Sequence, residues 1–375
     1  MCPTSVNDEE EHVFNDDLLI NEGDLEWAHR NYPRIAHILD HPALRVEFAK
    51  FERLASEAKQ RVRFYGFVAV DASAVALLAL VTRPIWPHAS WTRWPAGILE
   101  LGGLFAALFA IGGLWSGKWK RRWLRNRLMT ERLRQWHFQR IVRCGSEVES
   151  SCTGRAAMES FKQQRDLQLN HFIGEYKGHS DNELESVIRD PLESIAWLQE
   201  TSSSYDPKSN TTHEVFGAYE RLRFRHQYGF ATYKLKAESD EPFWKFLQWP
   251  AKAQLVLLSG LSSTFFTIAL ILSALLICGD FFAYSENLEV YLRTAAIAVA
   301  ILGAALRTIQ DGLGLDADIE RYREYREKIG RLYDRFKNTN DTDHRLRLMT
   351  DLEYASVDEM QDFLRAHYKA RFVLA

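Results

Sequence analysis

The chain has 375 residues, with 47 Lys and Arg against 50 Asp and Glu, and a formal net charge of −3 at pH 7. A charge this close to zero gives no electrostatic sign of nucleic-acid binding. The mean hydropathy of −0.28 averages long apolar runs with strongly charged segments, so the local distribution of charge is more informative than the total.

The chemistry-bearing residue types do not form a recognisable site. The four cysteines lack C-x-x-C and zinc-ligand spacing, which argues against a metal site. Cys144 and Cys152 could pair, but a reducing cytosol favours free thiols. Because no metalloprotease, hydrolase or P-loop motif is found either, we expect a protein that is not an enzyme and that has no cofactor.

The first half of the chain predicts soluble helices that lead into a membrane hairpin. Apolar residues recur at helical spacing from Asp24 to Leu39, and Pro42 suits the first turn of the next helix. That helix is expected to enter the membrane at Arg63. The apolar stretches Phe64–Val81 and Ala96–Trp115 then form the two arms of a hairpin.

The second half contains the stronger hairpin. Gln254 to Phe281 is a long apolar run, with no charged residue between Lys252 and Asp280. At ~1.5 Å per residue this run is long enough to cross a hydrocarbon core of ~30 Å. A short polar loop and a second apolar run, Val290 to Leu306, complete the hairpin.

The sequence therefore predicts an all-α membrane protein with four transmembrane helices, arranged as two hairpins with long cytosolic helical extensions. We divide it into an N-terminal cytosolic segment 1–41, a helix–hairpin–helix unit 42–200, a polar linker 201–210 and a second such unit 211–375. Capping boxes predict helix starts at Ser180, Thr211 and Ser356. Pro191 is expected to kink or break a helix.

The distribution of charge predicts the orientation. The outer loop of the second hairpin holds Asp280, Glu286 and Glu289 but no Lys or Arg. The first hairpin ends in a basic collar, formed by Lys118, Lys120, Arg121, Arg122, Arg125 and Arg127. By the positive-inside rule both termini are cytoplasmic, and the collar meets the anionic inner leaflet of the lipid bilayer.

Polar residues within the apolar runs are the candidate functional residues. Asp71 and Glu100 are carboxylates inside spans, where a charge is costly unless it faces water, a bundle interior or a partner. Ser259, Ser263 and Thr267 follow one helix face at intervals of four residues. Either set could line a pore or form hydrogen bonds that fix helix packing, and both alternatives stay open here.

Small residues recur every fourth position in the second arm of each hairpin. These are Gly102, Ala106 and Ala110 in the first hairpin, and Ala296, Ala300 and Ala304 in the second. Such faces allow close approach of helix backbones. The packing could occur within the chain or between protomers of a homo-oligomer.

The two halves repeat the same order of elements. Arg125-x-Arg127-x3-Glu131-Arg-Leu follows the first hairpin, and Arg321-x-Arg323-x3-Glu327-Lys-Ile follows the second. This similarity suggests an ancient duplication. The alternative is that any helix leaving a membrane tends to be rich in Arg and Glu.

Three segments carry a resemblance to a known family. They are Trp123-Leu-Arg-Asn-Arg-Leu-Met-Thr-Glu131 after the first hairpin, Tyr219-Glu-Arg-Leu-x4-Gln227-Tyr228 before the second, and Leu352-Glu-x5-Glu359-x3-Phe363-Leu-x2-His367 after it. The chain resembles the bacterial SLATT class, the SMODS- and SLOG-associating two-transmembrane effectors, but with two hairpins. The resemblance implies a multi-pass protein of the bacterial inner membrane that acts in defence as a pore-forming effector.

Two functions from different classes follow from these observations. The first is an oligomeric pore- or channel-forming membrane effector, with a cytosolic sensor or signalling partner as a further expectation. The second is a non-conducting membrane scaffold whose cytosolic helices bind a partner.

Overall fold

The computed structural model describes residues 16–85, 90–115, 117–189, 205–282 and 285–372. All regular structure in these ranges is helical, and they contain no β-strand. The α-helices are α1 (Glu22–Asn31), α2 (Ala36–Leu39), α3 (Pro42–Thr82), α4 (Ser90–Trp115), α5 (Lys118–Arg143), α6 (Gly145–Ser151), α7 (Arg155–Arg189), α8 (Asn210–Tyr219), α9 (His226–Lys234), α10 (Ala251–Phe282), α11 (Glu286–Leu313), α12 (Leu315–Asn338) and α13 (Thr342–Lys369).

Three or four helical segments are long and apolar enough to cross a membrane. Ala36–Ile85, Ala251–Cys278 and Glu286–Leu313 meet this criterion alone. Gly97–Gly113 meets it only together with Lys118–Arg143, from which it is bent by 43°. The predicted all-helical class is confirmed for the described residues, and these segments indicate membrane association.

The chain folds into two compact units that each combine segments from both halves of the sequence. The helical unit consists of Met1–Arg53, Arg125–Leu235 and Glu320–Leu364. The span unit consists of Leu54–Leu124, Lys236–Ile319 and Arg365–Ala375. The predicted helix–hairpin–helix units 42–200 and 211–375 are each continuous in sequence instead. That division of the chain stays a prediction.

The part of α5 that belongs to the helical unit, from Arg125 onward, is almost entirely buried. Between Asn126 and Val142, all residues except Arg127 and Glu131 are buried. Leu128, Leu133 and other apolar residues fill the core, but buried polar side chains alternate with them. A helix that is buried all round normally lacks charge, so these polar groups must find partners within the unit.

Several predicted helix boundaries differ from the observed ones. The predicted helix from Asp24 to Leu39 is divided into α1 and α2 by the turn around Pro33, since proline cannot donate a backbone hydrogen bond and restricts the residue before it. Helix α8 begins one residue before Thr211, because the Ser209 hydroxyl accepts a hydrogen bond from the Thr211 N–H at 3.1 Å.

Two predicted capping boxes lie inside longer helices. Helix α7 continues through Ser180 to Arg189, and α13 continues through Ser356. The Ser356 hydroxyl donates to the Leu352 carbonyl, 3.0 Å away, so it bonds to the preceding turn and caps nothing. Pro191 and residues 201–204 of the predicted linker lie outside the described residues. In the remainder of the linker, Tyr205 is buried and its hydroxyl donates to the Ile141 carbonyl.

In the span unit, small residues mark the places where helices touch. Helices α10 and α11 pack together as a hairpin, and the Ser262 hydroxyl donates to the Gly303 carbonyl at 3.0 Å. Helices α3 and α4 meet at Gly103, where a Cβ atom would lie 2.8 Å from the Ala72 carbonyl oxygen. The contact at Gly103 requires a glycine, because a larger side chain there would push the two helix backbones apart.

Candidate functional site

Asp71 lies on the outward face of α3. Its neighbours Val70 and Ala74 are buried, whereas Asp71 itself is exposed and shares its face with the exposed Phe64 and Val75. No hydrogen bond or ion pair joins Asp71 to another described residue. The chain therefore presents a carboxylate, surrounded by apolar side chains, on the outside of a candidate span.

Glu100 has a different environment. Its side chain is half-buried on α4, next to the exposed Leu99 and Leu101. Like Asp71, it forms no hydrogen bond or ion pair with any described residue. The structure does not pair the two carboxylates with each other.

The predicted hydroxyl stripe on α10 also faces outward over most of its length. Ser259 is half-buried, and Ser263 and Thr267 are exposed. The Thr267 hydroxyl donates to the Ser263 carbonyl at 2.8 Å, which satisfies it within its own helix. The hydroxyl that packs between helices belongs to Ser262, which was not in the predicted stripe.

The small residues predicted for packing in α4 are spread around the helix. Gly102 is exposed, Ala106 is half-buried and Ala110 is buried. The residues next to the first two, Gly103 and Ala107, are buried, so the contact face of α4 is rotated by one residue from the predicted one.

Helix α11 shows a similar displacement. Ala296 is buried, whereas Ala300 and Ala304 are half-buried. Gly303 and Ala305 are buried beside them, and a Cβ atom at Gly303 would lie 3.2 Å from the Phe266 ring.

The predicted basic collar is divided in the structure. Lys118 and Arg121 are exposed, and the other members, which are half-buried, are Lys120, Arg122, Arg125 and Arg127. Arg127 pairs with Glu52 at 3.1 Å and with Glu131 at 2.6 Å. Its charge is neutralised inside the helical unit, so Arg127 does not contribute an open cation to the collar.

The C-terminal segment, Arg365–Phe372, belongs to the span unit and packs against its helices. The Lys120 ammonium donates to the Tyr368 carbonyl at 2.8 Å and to the Ala370 carbonyl at 2.6 Å. The Phe372 ring occupies the space that a side chain would need at Gly66 of α3 and at Gly312 of α11. Through this one ring, the C-terminal segment packs against both α3 and α11.

The helical unit contains a buried network of ion pairs. The Arg223 guanidinium binds Glu353 with two parallel hydrogen bonds, of 2.8 Å from Nε and 2.9 Å from the terminal nitrogen. The Tyr219 hydroxyl donates to the same carboxylate at 2.7 Å. Asp17, which is buried, lies 2.9 Å from Nε of Arg134 and 3.8 Å from Arg223.

A π-helical turn provides this geometry. Residues Glu220–Arg225 form the π-helix between α8 and α9, and such wide turns often mark special positions in a helix. Here the turn leaves Tyr219 and Arg223 both directed at Glu353, which is 130 residues away from Arg223 in sequence.

The protonation of buried groups follows from burial and from neighbouring charges. Burial alone would raise the pKa of Glu131, but Arg127 and Arg134 outweigh it and lower this pKa to about 2. Burial, and then the charge of Arg165, lowers the pKa of His137 to about 3. At neutral pH Glu131 is therefore ionised and the His137 imidazole is neutral.

The sequence reasoning did not identify this network or the aromatic segment that precedes α10. Phe243–Gln248 is a 3₁₀-helix in which Phe243 is 69% and Trp244 84% exposed. Aromatic rings of this kind favour the interface between bilayer and water. The cluster of Phe and Trp residues just before the apolar run was the available signal.

No group of three potential metal ligands occurs in the part of the chain that the structure describes. Buried Arg134 pairs with Asp17 and buried Arg223 with Glu353, which suits a structural role. No protein-family model matches the chain, and no curated protein or solved structure is significantly similar to it. The resemblance to the SLATT class thus stays a prediction from the sequence.

Proposed function

We propose that the chain is an oligomeric membrane effector whose protomers together line an ion-conducting path. The observation that carries the proposal is the exposure of Asp71 on a candidate span. A carboxylate in the hydrocarbon layer costs at least ~2.5 kcal/mol. A second protomer, or a water-filled path between protomers, removes this cost.

The hydroxyl groups of α10 support the same proposal. Ser263 and Thr267 lie on an exposed face together with Val256 and Leu270. A face with both hydroxyl and apolar side chains is better suited to a contact between protomers at the edge of a water-filled path than to contact with lipid alone.

In this proposal the membrane is the bacterial inner membrane, and both termini are in the cytoplasm. The helical unit then forms the cytosolic part, where a sensor or signalling partner would act in a defence response. The resemblance to the SLATT class and the distribution of Lys and Arg support these assignments.

Cation flux from vesicles that contain the purified protein tests the proposal. Asp71→Asn keeps the size of the side chain but removes its charge, so we expect it to lower cation flux without changing assembly. Glu238→Gln is the matched control, since Glu238 is an exposed carboxylate outside the candidate spans.

The alternative, a non-conducting scaffold, predicts a different result. Wild-type vesicles would then be as tight to cations as empty vesicles, also under a membrane potential. Equal, measurable flux through the wild type and Asp71→Asn would instead show that a pore exists but that Asp71 does not line it.

A further inference from the structure

The span unit contains a cavity of about 580 Å³. This volume is in the range of small-molecule sites, ~300–1,000 Å³. Residues of α3, α4 and α5 form its wall together with the C-terminal segment. Much of that wall is apolar, with contributions from Val62, Val70, Ile111 and Phe372.

Three cationic side chains line the same cavity, from Lys120, Arg121 and Arg371. No carboxylate is among the described residues that line it. Two of the three ammonium protons of Lys120 are directed at backbone carbonyls, so one donor remains. The guanidinium groups of Arg121 and Arg371 form no ion pair with a described residue.

This combination defines the chemistry of a ligand. Three cations without counter-ions favour an anionic group, and guanidinium groups are well suited to phosphate oxygens. Val62 and Val70 of this apolar wall belong to a helix that is long and apolar enough to cross a membrane. A ligand that satisfies both parts carries a phosphate and an alkyl chain.

We propose that this cavity binds an anionic phospholipid, with its phosphate on Lys120, Arg121 and Arg371 and an acyl chain along the apolar wall. The inference relies on the membrane location in the proposed function but not on conduction. The C-terminal segment would then form part of a lipid site, because it contributes both Arg371 and Phe372.

Native mass spectrometry of the detergent-solubilised protein tests this site with three added probes. Phosphatidylglycerol is anionic, phosphatidylcholine has the same phosphodiester without net charge, and glycerol phosphate has the headgroup without a chain. We expect phosphatidylglycerol to be retained well above the other two. Arg121→Gln and Arg371→Gln should each lower its affinity by about fivefold.

Lys236→Gln is the matched control, because Lys236 is an exposed cation of the span unit that neither lines the cavity nor belongs to the basic collar. It should retain phosphatidylglycerol as the wild type does. The melting temperature without added lipid reports whether each variant is folded, and phosphatidylglycerol should raise it less in the two arginine variants.

Two results would overturn the proposal. One is equal retention of phosphatidylglycerol and phosphatidylcholine, or equal losses in Lys236→Gln and the arginine variants. The other is glycerol phosphate binding as tightly as phosphatidylglycerol, which would identify a site for soluble phosphates. A failure to observe cation flux from vesicles would contradict the pore but not the lipid site. The two proposals are therefore tested separately.

Discussion

Individual residues of the helical unit are held by charges that neutralise one another. Arg223 and Glu353 are each 1% exposed at the side chain, and two parallel hydrogen bonds join them. A buried ion pair need not add net stability, but the loss of one partner leaves the other charged and unsolvated. If Glu353 were neutralised, Arg223 would keep only the more distant Asp17 carboxylate, 3.8 Å away, as a counter-charge.

Glu353→Gln should therefore lower the free energy of unfolding of the helical unit by about 3–5 kcal/mol. Urea unfolding followed by far-ultraviolet circular dichroism measures this. Asp351→Asn is the matched control, since Asp351 is exposed on the same helix, and it should change stability by less than about 0.5 kcal/mol. Equal effects of the two substitutions would contradict the role given to the pair.

The sequence indicated some of these residues and not others. Asp71 was recognisable because a lone carboxylate in an apolar run is costly wherever it points. The pairing of Arg223 with Glu353 was not recognisable, because Arg and Glu are also common on the exposed faces of helices. Only the fold brings together side chains that are 130 residues apart.

At the scale of elements, helices were predicted better than their faces and ends. The serine of an S-x-x-E motif is a cap only where a helix begins, yet Ser356 lies in the middle of α13, which extends from Thr342 to Lys369. The residues before it already favour a helix, so the local motif did not determine the start. Which small residue faces a neighbour depends likewise on the rotation of the whole helix.

Adjacent glycines in α4 test the observed helix face. Gly103→Leu should disturb the contact with α3, because its Cβ atom would lie 2.8 Å from the Ala72 carbonyl oxygen. Such overpacking costs ~1–3 kcal/mol and should lower the melting temperature in detergent. Gly102→Leu is the matched control, since a Cβ atom there meets nothing within 4 Å. A greater loss in Gly102→Leu than in Gly103→Leu would favour the originally predicted face.

For the whole molecule, the all-helical class and the apolar spans followed from composition and periodicity alone. The combination of distant segments in each compact unit did not follow, because hydropathy identifies segments and not their partners. If the two halves arose by the predicted duplication, each compact unit contains segments of both copies.

The orientation in the membrane makes a prediction at this scale. In a variant without native cysteines, Ser285→Cys in the outer loop should react with an impermeant thiol reagent in intact cells. Lys208→Cys should react only after lysis, although Lys208 is exposed on the protein. The reverse labelling pattern would contradict cytoplasmic termini.

The central claim is that the outward polar face of the spans is covered by other copies of the chain. The mass of the purified protein in lipid nanodiscs tests this most directly, since one protomer has a mass of 43.5 kDa. We expect a single closed oligomer, with a protein mass that is an integer multiple of this value. Particles with the protein mass of one protomer, at concentrations where the vesicles conduct cations, would contradict the account.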